Sequence, residues 1–252
     1  MSDTPHRPGH FVWYELMSSD PARSAAWYTE LFGWTVAEME IPDGVYRVLR
    51  EGEDGIAGIT RSPADSPMPD HWLGYISAEP DSVAARTRAF EGQVLVPPMD
   101  MPEVGRLTVV LDPQGASIAA FKGVSGDPPV KTPIPVGRFC WSHLHSTDVI
   151  GSQSFYQMAF PLAAKPRDDG SMLLTAKPDG AEVATVAQAP ADTPASWLHY
   201  VIVSDLEAST ARAVELGASV VHANQKYEGY GTGTVIADPT GAVLALFQPQ
   251  GS

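Results

Sequence analysis

The chain has 252 residues, with 16 Lys and Arg against 30 Asp and Glu for a formal charge of −14, and it is 44% hydrophobic and 18% charged. This composition supplies a core and excludes a disordered polyelectrolyte. An acidic surface without a Lys/Arg cluster repels phosphate backbones and anionic headgroups, so neither nucleic acid nor a membrane is expected as a partner. The only cysteine, Cys140, cannot close an internal disulfide, and the opening MSDTPHRP lacks the apolar run of a signal peptide. Together these predict a cytoplasmic protein. No run approaches the ~20 apolar residues that a membrane span needs.

Taken in chain order, residues 1–8 read as a flexible tail, and a repeat begins soon after it. Phe11-Val-Trp13-Tyr-Glu15-Leu16, followed by Asp20, Trp27-Tyr28 and Phe32, returns as Phe139-Cys-Trp141-Ser-His143-Leu144, followed by Asp148, Phe155-Tyr156 and Phe160. Trp72-Leu-Gly-Tyr75 returns as Trp197-Leu-His199-Tyr200, and Asp112-Pro-Gln-Gly115-Ala as Asp238-Pro-Thr-Gly241-Ala. Two equivalent halves follow, 9–123 and 137–250, separated by a linker over 124–136 that contains four prolines and resists regular structure. Asp20, Asp81, Asp148 and Asp205 each end an apolar run and precede helical periodicity, which predicts N-capped helices near 21–32, 82–91, 149–160 and 206–216. Gly33 and Gly217 stand where left-handed C-caps belong. Short alternating runs such as Val45–Leu49 and Ser171–Thr175 fill the intervals, so strand, helix and then several strands occur four times.

Paired βαβββ units, an aromatic-Tyr pair in the first helix and a closing Asp-Pro-x-Gly-Ala hairpin resemble the vicinal oxygen chelate superfamily of glyoxalase I, bleomycin-resistance proteins and extradiol dioxygenases. The tandem form with Trp-Tyr-Glu-Leu and Leu-Phe-Gly-Trp34 looks like an actinobacterial two-domain group often labelled glyoxalase/bleomycin-resistance or hydroxylase. The resemblance implies an α+β fold of two tandem domains, each of paired βαβββ modules around a cup-shaped, mainly antiparallel sheet. It also implies a ligand, often with a divalent metal, on the concave face.

Alternation along the first strand of each half puts Trp13, Glu15 and Met17 in one cup and Trp141, His143 and His145 in the other, with Leu16, Leu144 and Cys140 beneath. Cys140 reads as a small buried hydrophobe. The resemblance places metal ligands on the first strand of each module and in the closing hairpin. Carried over, those positions hold Trp13 or Glu15, then Gly74 and Ala119 in the first half, and Trp141 or His143, then His199 and Ala245 in the second. A site with at most two ligands is short of the usual three, so no metal and no other cofactor is expected. Asp112 and Asp238 read as turn formers.

His143 and His199 are the candidate acid–base residues of the second cup, and Glu15 is that of the first. Trp13, Trp141, His145, Tyr75, Tyr200, Tyr227 and Tyr230 are candidate ligand contacts, the last two on a glycine-rich segment, 226–233, read as a mobile rim. The first functional reading is a protein that sequesters or carries a small aromatic or polyketide-like metabolite without metal. The alternative is a lyase, isomerase, cyclase or glyoxalase-like enzyme using His143 and His199, and the third is a metal-dependent oxygenase or hydroxylase. The expected partner is a small molecule, and a homodimer is an assembly left open.

Overall fold

A computed structural model describes residues 4–42, 44–63 and 68–251. The βαβββ order occurs four times. The first repeat is β1 (Phe11–Ser18), α1 (Pro21–Phe32), β2 (Thr35–Ile41), β3 (Gly44–Glu51) and β4 (Asp54–Arg61). The second is β5 (His71–Ser77), α2 (Pro80–Ala89), β6 (Gln93–Met101), β7 (Gly105–Leu111) and β8 (Ser117–Gly123). The third is β9 (Phe139–Ser146), α3 (Val149–Ala159), β10 (Leu162–Pro166), β11 (Met172–Ala176) and β12 (Glu182–Gln188). The fourth is β13 (Ser196–Ile202), α4 (Leu206–Glu215), β14 (Ser219–Tyr227), β15 (Gly231–Ala237) and β16 (Val243–Pro249). The fold is α+β, with two eight-stranded sheets ordered β2-β3-β4-β1-β5-β8-β7-β6 and β10-β11-β12-β9-β13-β16-β15-β14. Among the described residues no helix is long and apolar enough to cross a membrane.

Three of the four helices start as their sequence dictates. Asp20, Asp148 and Asp205 accept from the backbone N–H of Arg23, Gly151 and Ala208, satisfying a first-turn donor that has no partner within the helix. Behind two of these caps a serine pair repeats: Ser18 and Ser24 hydroxyls meet at 2.8 Å, and Ser146 and Ser152 at 2.7 Å. The second helix departs from expectation. Pro80, with φ already set for a first turn, starts it two residues early, Glu79 is the N-cap but its side chain bonds Lys122 and not the first turn, and Asp81 pairs with Arg106. Gly33 closes α1 in the left-handed region at φ 70°, where a side chain would be strained.

Contacts gather the chain into two compact units, one built mainly from the second and third repeats and the other from the first and fourth. One unit combines the residues up to Val12 with Leu73–Val130 and Ser142–Trp197. Its core surrounds the fully buried Phe155, Tyr156 and Phe160. Thr4 to Pro8 of the expected tail are held there: the Thr4 hydroxyl donates to Ser125 O at 2.8 Å and the Arg7 backbone N–H to Asp127 at 2.5 Å. The other unit combines Trp13–Trp72, Lys131–Trp141 and Leu198 onward around Leu16, Tyr28, Trp34 and Leu246. The end of the proline-rich segment is fastened in it. The Trp34 indole donates to Gly137 O at 3.1 Å, and Arg138 bonds both Glu51 and Asp54.

The repeated motif residues meet inside these cores. In the first unit the Trp197 indole donates to the Tyr156 hydroxyl at 3.0 Å, and that hydroxyl donates to Asp112 Oδ2 at 3.2 Å. In the second unit the Trp72 indole donates to the Tyr28 hydroxyl at 2.9 Å, with Asp238 as the neighbouring carboxylate. Each Asp also holds its own hairpin, Asp112 through Gln114 and Ala116 N–H and Asp238 through Thr240 and Ala242 N–H. Burial lifts the Tyr28 and Tyr156 phenols well above the ordinary tyrosine range, so both stay protonated donors.

Candidate functional site

The face of each sheet turned away from its helices carries the candidate residues, and strand register decides which side chains share it. In β1, Leu16 pairs with Ile59 in the core, which leaves Glu15 opposite Gly58 on the other face. A register shift brings Gly55 onto that face as well, because Leu49 pairs with Ala57 but Arg50 with Gly55, and one residue of β4 bulges out. The two glycines make a floor. A Cβ on Gly55 would lie 3.3 Å from the Trp13 ring, and one on Gly58 only 2.0 Å from the Tyr46 hydroxyl. Over this floor the Trp13 indole donates to the Tyr46 hydroxyl at 3.2 Å, while Glu15 is 8% exposed beside them. Burial, and then the Glu15 charge, raise the Tyr46 phenol above its usual range, and the Trp13 bond only partly offsets this.

The equivalent place in the third repeat is different. His143 pairs with Thr185 and His145 with Ala187, and the two half-buried imidazoles meet edge-to-face with centroids 4.7 Å apart. Burial and, secondarily, His145 push the His143 pKa down to about 3, so this imidazole is neutral across the physiological range. A neutral imidazole of such low basicity offers one donor and one acceptor to a ligand but is a weak base.

In the fourth repeat Tyr200 pairs with Ala245 and lies with Leu198 and Val235 in a cluster that also takes Trp141, Tyr227 and Phe247. The Tyr200 and Tyr227 hydroxyls are 3.0 Å apart, and Tyr227 reaches Gln225 Oε1 at 3.0 Å. Cys140 packs against the same cluster, its thiol 3.5 Å from Tyr200 O and pushed up to about 12 by burial, an inert small side chain. Tyr230 is 56% exposed. The segment expected as a mobile rim is the tight β14–β15 turn, closed by Tyr230 N–H to Tyr227 O at 2.9 Å. Tyr75 is buried on β5, pairs with Ala119 and meets Phe121 edge-on at 6.3 Å.

His199 is not where the sequence reading put it. Along β13, Trp197 contacts Tyr156 of α3 and Val201 lies in the helix-packed core, so alternation sends His199 to the same helix side, and Leu198 and Tyr200 to the open face. It has no exposed surface, and its ring meets Tyr14 at 4.9 Å and Phe139 at 6.5 Å. Burial pushes its pKa down to about 3. His199 therefore does not share the open face with His143, whose ring neighbour there is His145. Trp72 and Trp197 are likewise helix-side residues. Tyr46, Gly55, Gly58 and Thr185 also belong to these open faces and were not among the residues singled out from sequence.

The residues do not fit a divalent metal. Ala119 and Ala245 are fully buried where a closing carboxylate would stand, and Asp112 and Asp238 are engaged in their hairpins. Among the described residues no three His, Cys, Asp or Glu side chains gather to hold an ion.

Comparisons with known proteins agree with the repeat. Residues 7–119 match the family described as Glyoxalase/Bleomycin resistance protein/Dioxygenase superfamily, and residues 143–247 match a Glyoxalase-like domain. The anthracycline biosynthesis protein DauV of Streptomyces sp. (strain C5) is 32% identical over 234 residues, covering 84% of each chain. The CFP32 protein of Mycobacterium tuberculosis is 27% identical over 254 residues, covering 97% of this chain and 96% of its own. Among solved structures, the Mn(II)-bound glyoxalase from Novosphingobium aromaticivorans aligns with a TM-score of 0.63 at 13% identity, over 97% of this chain and 82% of that one, a likeness of fold alone. With the four βαβββ repeats, these matches make the chain a member of the glyoxalase/bleomycin resistance/dioxygenase superfamily.

Proposed function

We propose that the protein binds a small aromatic, polyketide-like metabolite on the open faces of its sheets, for sequestration or carriage, without a metal. The observation that carries this is the aromatic pair of the second unit: Trp13 and Tyr46, hydrogen-bonded to each other and packed against Gly55 and Gly58. The Trp141–Tyr200–Tyr227 cluster offers a second aromatic surface, and the relative DauV is named for anthracycline biosynthesis. The −14 charge and the lone cysteine favour a cytoplasmic protein without nucleic acid or membrane partners. Superfamily membership supports a small molecule as partner, and the repeat supports 9–123 and 137–250 as duplicated domains.

A second reading, turnover of the same ligand as a lyase, isomerase or cyclase, draws on the half-buried His143–His145 pair and on Glu15 beside Tyr46. One experiment separates them. Purified protein is titrated with an anthracycline aglycone by calorimetry and the mixture is then analysed by mass spectrometry. Saturable binding with the aglycone recovered unchanged is the expected result, a new product mass selects the enzyme, and no binding removes both.

A further inference from the structure

The hydrogen-bond polarity of the Trp13–Tyr46 pair carries information about ligand chemistry. An indole N–H can only donate, so at 3.2 Å it fixes the Tyr46 oxygen as its acceptor and leaves the phenol proton to be directed elsewhere. The phenol sits on bare backbone, since Gly58 offers no side chain beneath it, and a Cβ there would lie 2.0 Å from the hydroxyl and 2.6 Å from Cζ. Register places Glu15 on the same face opposite Gly58. Because burial and the Glu15 charge both disfavour the phenolate, the hydroxyl remains protonated at any working pH.

The corresponding positions of the third repeat lack this arrangement. There Thr185 pairs with His143 as Gly58 pairs with Glu15. Leu173 pairs with Thr185 as Val48 pairs with Gly58, so Ser171, two residues before Leu173, stands where Tyr46 stands two residues before Val48. The phenol donor and its glycine seat are thus present in the first repeat and absent at the matching positions of the third.

We propose that Tyr46, oriented by Trp13 and seated on Gly58, is a specificity-determining hydrogen-bond donor that selects planar polycyclic ligands bearing a carbonyl oxygen, of the quinone or aryl-ketone type. This rests on the ligand-binding reading above and names the class of ligand. The ring system stacks near Trp13 while its carbonyl accepts from Tyr46 Oη. An unsubstituted arene of the same size stacks equally well but leaves the phenol without that acceptor.

The test uses two soluble probes that differ only in the carbonyls, anthraquinone-2-sulfonate and anthracene-2-sulfonate, titrated into the full chain by calorimetry in ~0.15 M salt, which screens the shared sulfonate. A net hydrogen bond of ~1.4 kcal/mol corresponds to a tenfold preference for the quinone in the unaltered protein. Tyr46→Phe should abolish that preference and leave the arene affinity within about twofold. Trp13→Phe, a second variant whose phenol is intact but no longer oriented, should reduce the preference severalfold. Equal affinity of the unaltered protein for the two probes, or a preference that survives in both variants, overturns the proposal while leaving the binding reading intact. Failure of the unaltered protein to bind either probe overturns both.

Discussion

Tyr156→Phe tests whether the family motif residues are structural. The hydroxyl has no exposed surface, accepts from the Trp197 indole at 3.0 Å and donates to Asp112 Oδ2 at 3.2 Å. Removing it takes one hydrogen bond from a buried donor and one from a buried acceptor, each loss costing about 1–3 kcal/mol, so the expected loss is about 3–4 kcal/mol at pH 7. At roughly 2–4 °C per kcal/mol for a chain of this size, the thermal midpoint should fall by about 6–16 °C. The penalty should also depend on pH. Burial raises the folded-state pKa of Asp112, so its contribution to stability is fully present below the unfolded pKa and is lost as pH rises through the folded one. The Tyr156 bond opposes that rise, and without it the folded pKa climbs further, making the variant's penalty larger at pH 7 than at pH 4. Differential scanning calorimetry of both proteins at the two pH values measures this. A midpoint shift below about 2 °C at pH 7, or a penalty that grows toward acid, would refute the argument.

The remaining predictions concern the histidines, the glycine floor and metal. His199→Gln should leave affinity for an anthracycline aglycone unchanged and soften the acid limb of the stability curve. The native imidazole, with its folded pKa depressed to about 3, contributes stability that is complete above ~6.5 and declines as pH falls, by roughly 2 kcal/mol at pH 5; denaturant titrations at pH 7 and 5 check this. His143→Ala should weaken aglycone binding severalfold in calorimetry yet cost less than about 1 kcal/mol of stability, because the half-buried ring faces the open side of the sheet. Gly58→Ala should destabilise by about 1–3 kcal/mol through the collision with Tyr46, and much of that loss should vanish in the Gly58→Ala/Tyr46→Ala double variant, a coupling read from urea midpoints. Exhaustive chelation should leave the thermal midpoint within about 1 °C and aglycone affinity unchanged, since Ala119 and Ala245 supply no ligand; a larger change would point to a metal.

The fold was legible because its signals are local and repeated. Asp caps, the spacing of Trp27-Tyr28 and of Phe155-Tyr156, and the Asp-Pro-x-Gly-Ala turns each state a backbone geometry within a few residues. The second helix start was misjudged where two local signals compete, and the fixed φ of Pro80 prevailed over the capping potential of Asp81. The site was legible only where one strand decides the face. Trp13, Glu15, His143 and His145 follow from alternation alone, whereas Tyr46 and its glycine seat depend on pairing between β3 and β4 and on a bulge with no marker in sequence. His199 went astray because the resemblance outweighed the alternation of its own strand, in which Trp197, three residues before Tyr200, has to face the other way.

Fold-determining and ligand-facing residues occupy different positions in this fold. Trp72 and Trp197, Tyr28 and Tyr156, and Asp112 and Asp238 are the residues that make the resemblance recognisable, and all six are spent inside the two cores. They join different repeats: Asp112 of the second with Tyr156 of the third and Trp197 of the fourth, and Asp238 of the fourth with Tyr28 of the first and Trp72 of the second. A motif that fastens repeats together is under the same demand in every chain of this architecture, whatever the chain binds, so it identifies the scaffold and says little about the ligand. Ligand chemistry has to be read from positions where the repeats diverge at equal register. Between the first and third repeats those positions include Glu15 against His143, Gly58 against Thr185 and Tyr46 against Ser171. Exchanging these three in the first repeat, with Glu15→His, Gly58→Thr and Tyr46→Ser together, should therefore preserve the far-ultraviolet circular dichroism of the fold and eliminate quinone preference. Quinone preference retained in the folded triple variant would show that the divergent face is not where selectivity resides.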